Sequence, residues 1–183
     1  MLTLLSVVIL LTTISSSEQI VYSCDPRASC GCSANPASIT RIVGGESAGF
    51  ATWSWMVSIS INNENFCGGS IISKSWILTA AHCVSGFVPS QITINAGSNL
   101  PGSSSQRVFV SRIIIHPQFV SATYENDIAL LQVSPPLSMN DPNIGTICLP
   151  SVDPATLREN EWPEPGTTVS VIIFLKLDED ISA

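Results

Sequence analysis

From Ile42 onward the apolar residues come in short runs, each closed by turn-forming residues. Trp55 to Ile61 is followed by Asn62-Asn63-Glu64-Asn65. Ser70 to Leu78, Gln91 to Ala96, Gln106 to Ile115 and Asp127 to Val133 repeat the pattern. These runs have strand length, are rich in Ile and Val, and are separated by Gly, Ser, Asn and Pro. No long stretch places apolar residues at helical spacing. A regular succession of short strands specifies an all-β barrel or sandwich. Of the 183 residues, 45% are hydrophobic and 11% charged, enough to bury the core of one domain and part of another.

Not all of that apolar content is core. Leu2 to Ile14 is nearly uninterrupted apolar sequence, ended by Ser15, Ser16 and Ser17 and then Glu18. The run is shorter than the ~20 residues of a spanning helix. An apolar run closed by small residues reads as a secretory signal peptide over residues 1–17. The expected location is therefore extracellular, with no membrane association once the signal is removed. In that setting the six cysteines, Cys24, Cys30, Cys32, Cys67, Cys83 and Cys148, read as disulfides, with about 15 full pairings open. Zinc is the rival reading. It is disfavoured because no Cys-x-x-Cys pair exists and Cys30-Gly31-Cys32 is too tight for ligand spacing. Neither a metal nor another cofactor is expected. The net charge is −7 with Lys and Arg scattered, which argues against a nucleic-acid partner.

Residues 18–41 look like a loop-rich pro-segment ending in Ser38-Ile39-Thr40-Arg41. Residues 134–166 form a proline-rich connector, and Gly166 to Ile173 reads as one more strand. No Asn-x-Ser/Thr sequon occurs.

Chemistry centres on Leu78-Thr79-Ala80-Ala81-His82-Cys83. The chain has two histidines, His82 and His116. A nucleophilic hydrolase needs a base that titrates near neutrality, and histidine supplies one. That base needs a carboxylate to fix its tautomer and steady the imidazolium. Asp127, at the head of Ile128-Ala129-Leu130-Leu131, is the candidate, because a carboxylate entering an apolar strand is costly without a partner. Taken singly, each residue has a structural reading that is commoner: a lone His is usually structural, and an Asp before a strand is usually a turn residue. His116-Pro117 is read as a structural or surface turn.

The combination carries more. Arg41-Ile42-Val43-Gly44-Gly45, Trp53-Ser54-Trp55-Met56-Val57-Ser58, Phe66-Cys67-Gly68-Gly69-Ser70, Trp76-Ile77-Leu78-Thr79-Ala80-Ala81-His82-Cys83, Asn126-Asp127-Ile128-Ala129-Leu130-Leu131 and Ile147-Cys148-Leu149-Pro150 stand in register. Together they resemble the trypsin-like serine proteases of the chymotrypsin fold, over about residues 41–171. The resemblance implies the first six-stranded antiparallel Greek-key barrel of that two-barrel fold. It makes residues 42–171 the protease domain: first barrel, connector and first strand of the second barrel. His82 would be the general base and acid, and Asp127 its orienting carboxylate. Cys67 and Cys83 would form a bridge, and Cys148 would pair with one of Cys24, Cys30 and Cys32. Arg41-Ile42 would be the bond cut by an activating protease, and the substrates would be proteins or peptides. The loop Ser98 to Ser105 lacks the acids of the family's calcium-binding members, so no calcium site is expected.

The resemblance stops short of the nucleophile. The family's Gly-Asp-Ser-Gly-Gly motif does not occur, and the serines after Asp127 (Ser134, Ser138, Ser151, Ser170, Ser182) lack the flanking glycines. Residues 172–183 diverge from the family where Gly-Trp-Gly is expected, so the second barrel is read as truncated after about one strand. The 183-residue chain is therefore expected to be inactive, since His82 and Asp127 alone form no acyl-enzyme. Two readings stay open: a secreted serine endopeptidase represented by its first part, and a non-catalytic binding decoy or truncated product.

Overall fold

The computed structural model describes residues 20–22, 24–25, 27–32, 35, 37–39, 48–100 and 103–150. Residues 1–17, the Arg41-Ile42 bond and the tail beyond Pro150 lie outside the described residues. Two short strands, β1 (Ile20–Tyr22) and β2 (Ala37–Ile39), form an antiparallel pair inside the segment read as loop-rich. Six longer strands follow: β3 (Met56–Ile61), β4 (Glu64–Ser73), β5 (Trp76–Thr79), β6 (Ile92–Ala96), β7 (Gln106–Ile115) and β8 (Ala129–Ser134).

These six close into one antiparallel barrel in the order β3-β4-β5-β8-β7-β6. β3 to β5 and β6 to β8 are each a meander. β6 returns to pair with β3, and β8 pairs with β5, which seals the last edge. Of the barrel and the sandwich that the spacing of apolar runs allows, the fold is the barrel. Alternation builds its inside: Val57, Ile59 and Ile61 on β3, Ile92 and Ile94 on β6, and Leu131 on β8 are all buried.

Two boundaries differ from the sequence reading. The run Ser70 to Leu78 is two strands, not one. Lys74 and Ser75 turn the chain, and Ser70 then faces Leu78 across the hairpin. The polar Ser73-Lys74-Ser75 between Ile72 and Trp76 marks the break, although no Gly, Asn or Pro stands there. Gly69 is required at the packed side of this hairpin. A Cβ there would lie 2.9 Å from Ile77 Cγ2 and 3.0 Å from the Leu78 carbonyl oxygen. Asp127 also does not enter a strand, because β8 begins at Ala129.

The connector after β8 wraps back along the barrel. Pro135 and Pro136 lack the N–H needed to extend the ladder. Leu137 N–H then donates to the Lys74 carbonyl (2.8 Å) and Ile147 N–H to the Ile71 carbonyl (2.9 Å). Leu137 and Ile144 are buried against the core. The N-terminal segment docks on this connector: Gly31 N–H donates to the Thr146 carbonyl at 2.6 Å, and Cys30 is bonded to Cys148. Gly31 has φ +72°, the left-handed region that favours glycine.

Candidate active site

His82 sits in the crossover from β5 to β6. A single helical turn, α1 (Ala81–Val84), opens that crossover. Ala81, Cys83 and Val84 are buried, which leaves His82 as the residue of the turn that faces outward. Four residues cannot hold a helix by propensity alone. Burial of Ala81 and Val84 holds it, together with the disulfide from Cys83 to Cys67 on β4, which spans 16 positions of sequence. Closing a loop of that size contributes about 3 kcal/mol in the chain-entropy account. Thr79 adds a hydroxyl donation to the Gly68 carbonyl at 2.8 Å, next to the same bridge.

Asp127 arrives by a different route. The segment 116–128 leaves β7 at His116 and returns to β8. His116 N–H donates to the Ile128 carbonyl at 3.0 Å and closes its base. Tyr124 (φ 56°) and Asn126 (φ 55°) both hold left-handed backbone, which turns the chain sharply before Asp127. Asn126 steadies the turn by donating through Nδ2 to the Gln118 carbonyl at 3.0 Å.

The two routes meet. His82 Nδ1 lies 2.6 Å from Asp127 Oδ2, and the His82 backbone N–H donates to Asp127 Oδ1 at 2.8 Å. One carboxylate thus grips both ring and backbone of the same residue, fixing where the imidazole sits and how it is turned. The Asp127 side chain is 20% exposed and that of His82 46%. Partial burial pulls the Asp127 carboxyl upward. The hydrogen bonds from the His82 ring and backbone, the His82 charge and the Ala81 backbone outweigh it, and the carboxyl settles below its ordinary value. An ionised carboxylate only accepts, so the Nδ1 facing it carries the proton. In the neutral ring Nε2 then holds the lone pair; it lies 3.5 Å from Cys83 Sγ, a disulfide sulfur with no proton to give.

A third residue belongs to the site and was missed in the sequence. The Tyr124 ring meets the His82 ring edge to face, centroids 5.4 Å apart and planes at 84°. It covers one side of the imidazole while staying 60% exposed itself. The available signal was an aromatic residue three positions before the candidate Asp, in the same loop.

His116 takes no part. Its Nδ1 accepts the Gln118 backbone N–H at 3.2 Å. The sulfurs of Cys67 and Cys83 lie close to the His82 ring, but they are bonded to each other and offer no thiolate to a metal. The remaining cysteines form Cys30–Cys148 and Cys24–Cys32, so Cys30 is the partner of Cys148.

A closed six-stranded antiparallel barrel thus brings a histidine from the β5–β6 crossover against an aspartate from the β7–β8 loop. Comparison with known proteins assigns the chain to a family. The family model described as Trypsin matches residues 42–173. Serine proteinase stubble of Drosophila melanogaster is 35% identical over 164 residues, covering 80% of this chain and 21% of that protein. Human transmembrane protease serine 11A is 39% identical over 149 residues, covering 81% of this chain and 34% of its own. Among solved structures, the scabies mite inactivated protease paralogue S-D1 superposes with a TM-score of 0.56 at 32% identity, over 62% of this chain and 48% of that one. This chain belongs to the trypsin family of serine proteases. It spans between about a fifth and a third of the length of these two curated relatives.

Proposed function

We propose that the chain is the base-bearing part of a secreted trypsin-like serine endopeptidase that cleaves protein substrates. The observation that carries this reading is the double grip of Asp127 on His82, at 2.6 Å to the ring and 2.8 Å to the backbone. In such an enzyme His82 Nε2 takes the proton of a serine hydroxyl as that oxygen attacks the scissile carbonyl. The same nitrogen then hands the proton to the leaving amine. Asp127 holds the Nδ1–H tautomer and stabilises the imidazolium formed between these steps. The serine and the amides that stabilise the oxyanion have no counterpart in the 183 residues, where no Gly-Asp-Ser-Gly-Gly occurs. The 183-residue chain by itself is therefore inactive in this reading.

Activation by cleavage after Arg41 fits the covalent frame. Cys30–Cys148 would keep the N-terminal piece attached to the barrel after the cut, and Cys24–Cys32 staples that piece internally. Three disulfides suit an oxidising, extracellular location. The second reading is a non-catalytic homologue that binds proteases or their targets. The likeness to a solved structure described as an inactivated protease paralogue supports it.

Sequencing transcripts across the codons for Val171 to Ala183 separates the two. A form that continues into Gly-Trp-Gly and Gly-Asp-Ser-Gly-Gly should label with a fluorophosphonate, and Asp127→Asn in it should lower kcat by about 10⁴. If every transcript stops after Ala183, the endopeptidase reading fails.

A further inference from the structure

β7 carries a patch that the His82–Asp127 pair does not use. Along its first half the strand alternates plainly: Val108 and Val110 are buried, while Arg107 and Phe109 face outward. Continued alternation would send Arg112 into the core. A bulge between Val110 and Arg112 prevents this by placing an extra residue, Ser111, on β7. Beyond it Ile113 and Ile115 pack against the core, and Arg112 is exposed on the same outer face as Phe109. The bulge thus aligns Arg107, Phe109 and Arg112 in one row.

The row is uncovered. Phe109 is 59% exposed in the middle of a strand that is paired on both sides. Its register partners are Thr93 and Ser134, short polar residues that do not shield a phenyl ring. Arg107 is steadied by donating to Asn63 Oδ1 at 2.7 Å. Among the described residues neither Arg107 nor Arg112 has a carboxylate within 4.0 Å; the ion pairs there are Arg27–Asp25 and His82–Asp127. Two guanidiniums without acidic partners among the described residues, flanking an exposed aromatic ring, make a local positive patch.

We propose that the outer face of β7 docks an extended acidic peptide segment of a partner protein. Carboxylates of that segment engage Arg107 and Arg112, and one large apolar side chain lies on Phe109. The two arginines are roughly 15 Å apart along the strand, matching carboxylates four or five residues apart in an extended peptide. Arginine forks suit carboxylates, and an aromatic anchor supplies the apolar contact that exposed ion pairs alone do not. The two arginines set where such a segment lands. Phe109 pairs with Ser134, whereas Ile115 pairs with Ala129 beside Asp127. Phe109 therefore lies roughly 20 Å of strand from the histidine site and Arg112 roughly 10 Å, and the row does not depend on the reading of that site.

The test uses the full chain and fluorescein-labelled peptides of Glu and Gly with one central Phe, followed by fluorescence anisotropy. Expected is saturable binding that weakens with added salt. It should weaken at least ten-fold with Phe109→Ala or Arg112→Glu, and also when the peptide carries Ala for Phe or Lys for Glu. Both protein substitutions are at exposed positions, and unchanged circular dichroism and melting confirm that the variants fold. Absence of saturable binding would overturn the proposal, as would equal binding by both variants. Concentration-dependent dimerisation that Phe109→Ala abolishes would also overturn it, by assigning the face to a second copy.

Discussion

The chain has two histidines, and the structure treats them differently. Both stand just beyond the end of a barrel strand, His82 after β5 and His116 after β7. Among the described residues the hydrogen bond to the His116 ring comes from backbone: its Nδ1 accepts the Gln118 N–H. His82 meets a carboxylate delivered from 45 positions away, and its Nδ1 faces Asp127 at 2.6 Å. The two rings are thus set in opposite tautomers, Nδ1–H in His82 and Nε2–H in His116. What sets one histidine against a carboxylate and leaves the other in a turn is not the local sequence around either. It is the barrel closure that pairs β5 with β8 and so brings the β7–β8 loop beside the β5–β6 crossover.

That comparison can be broken at several depths. The deepest break is Ile77→Ala. Ile77 is fully buried on β5, between Gly69 and the core, and its loss should cost about 2–5 kcal/mol in a urea melt. Both histidine environments should be disturbed, because β5, β8 and β7 are paired in sequence. Replacing Cys67 and Cys83 together with Ala removes the loop constraint and should cost about 3 kcal/mol. This change is selective: the His82 resonances should broaden or shift while those of His116 hold. Asn126→Ala acts from the aspartate side. It forces a less tolerant residue into φ 55° and removes the bond to the Gln118 carbonyl, for a loss on the order of 1–2 kcal/mol.

How much of this was legible in the sequence follows from which forces are local. Alternation and turn residues are local, so Gln106 to Ile115 coincides with β7 and the all-β class is readable from spacing alone. The Lys74-Ser75 turn was harder to read, because its polar stretch Ser73-Lys74-Ser75 contains no Gly, Asn or Pro. His82 and Asp127 were legible as a pair only through the family resemblance. Nothing near either residue encodes a partner 45 positions away. Tyr124 was missed because its contact with the imidazole depends on left-handed backbone in a polar loop. The Phe109 row was hidden by a one-residue bulge, which strict alternation would have placed with Arg112 inside.

The smallest expected effect is in pH. The carboxyls of Asp127 and Asp141 both sit below their ordinary values in the folded chain. For Asp141 the Ser105 hydroxyl, 2.6 Å away, is the main cause, followed by the Asn143 N–H. A carboxyl depressed by folding contributes stability that is fully present above its unfolded value of about 3.9 and is lost as pH falls through the folded one. Melting temperature should therefore fall below about pH 4, and Asp141→Asn and Asp127→Asn should each flatten part of that fall. An unchanged profile in both variants would show that these contacts do not bias folding.

The most direct measurement of the central claim is the protonation of the two imidazoles, read by nitrogen-15 chemical shifts at alkaline pH where both rings are neutral. His116→Gln assigns the pair. The structure predicts the proton on Nδ1 of His82 and on Nε2 of His116, with Asp127→Asn moving the His82 proton to Nε2 and leaving His116 unchanged. If His82 carries its proton on Nε2 in the unaltered chain, or if Asp127→Asn leaves it on Nδ1, then Asp127 does not orient this histidine and the account of the site is wrong.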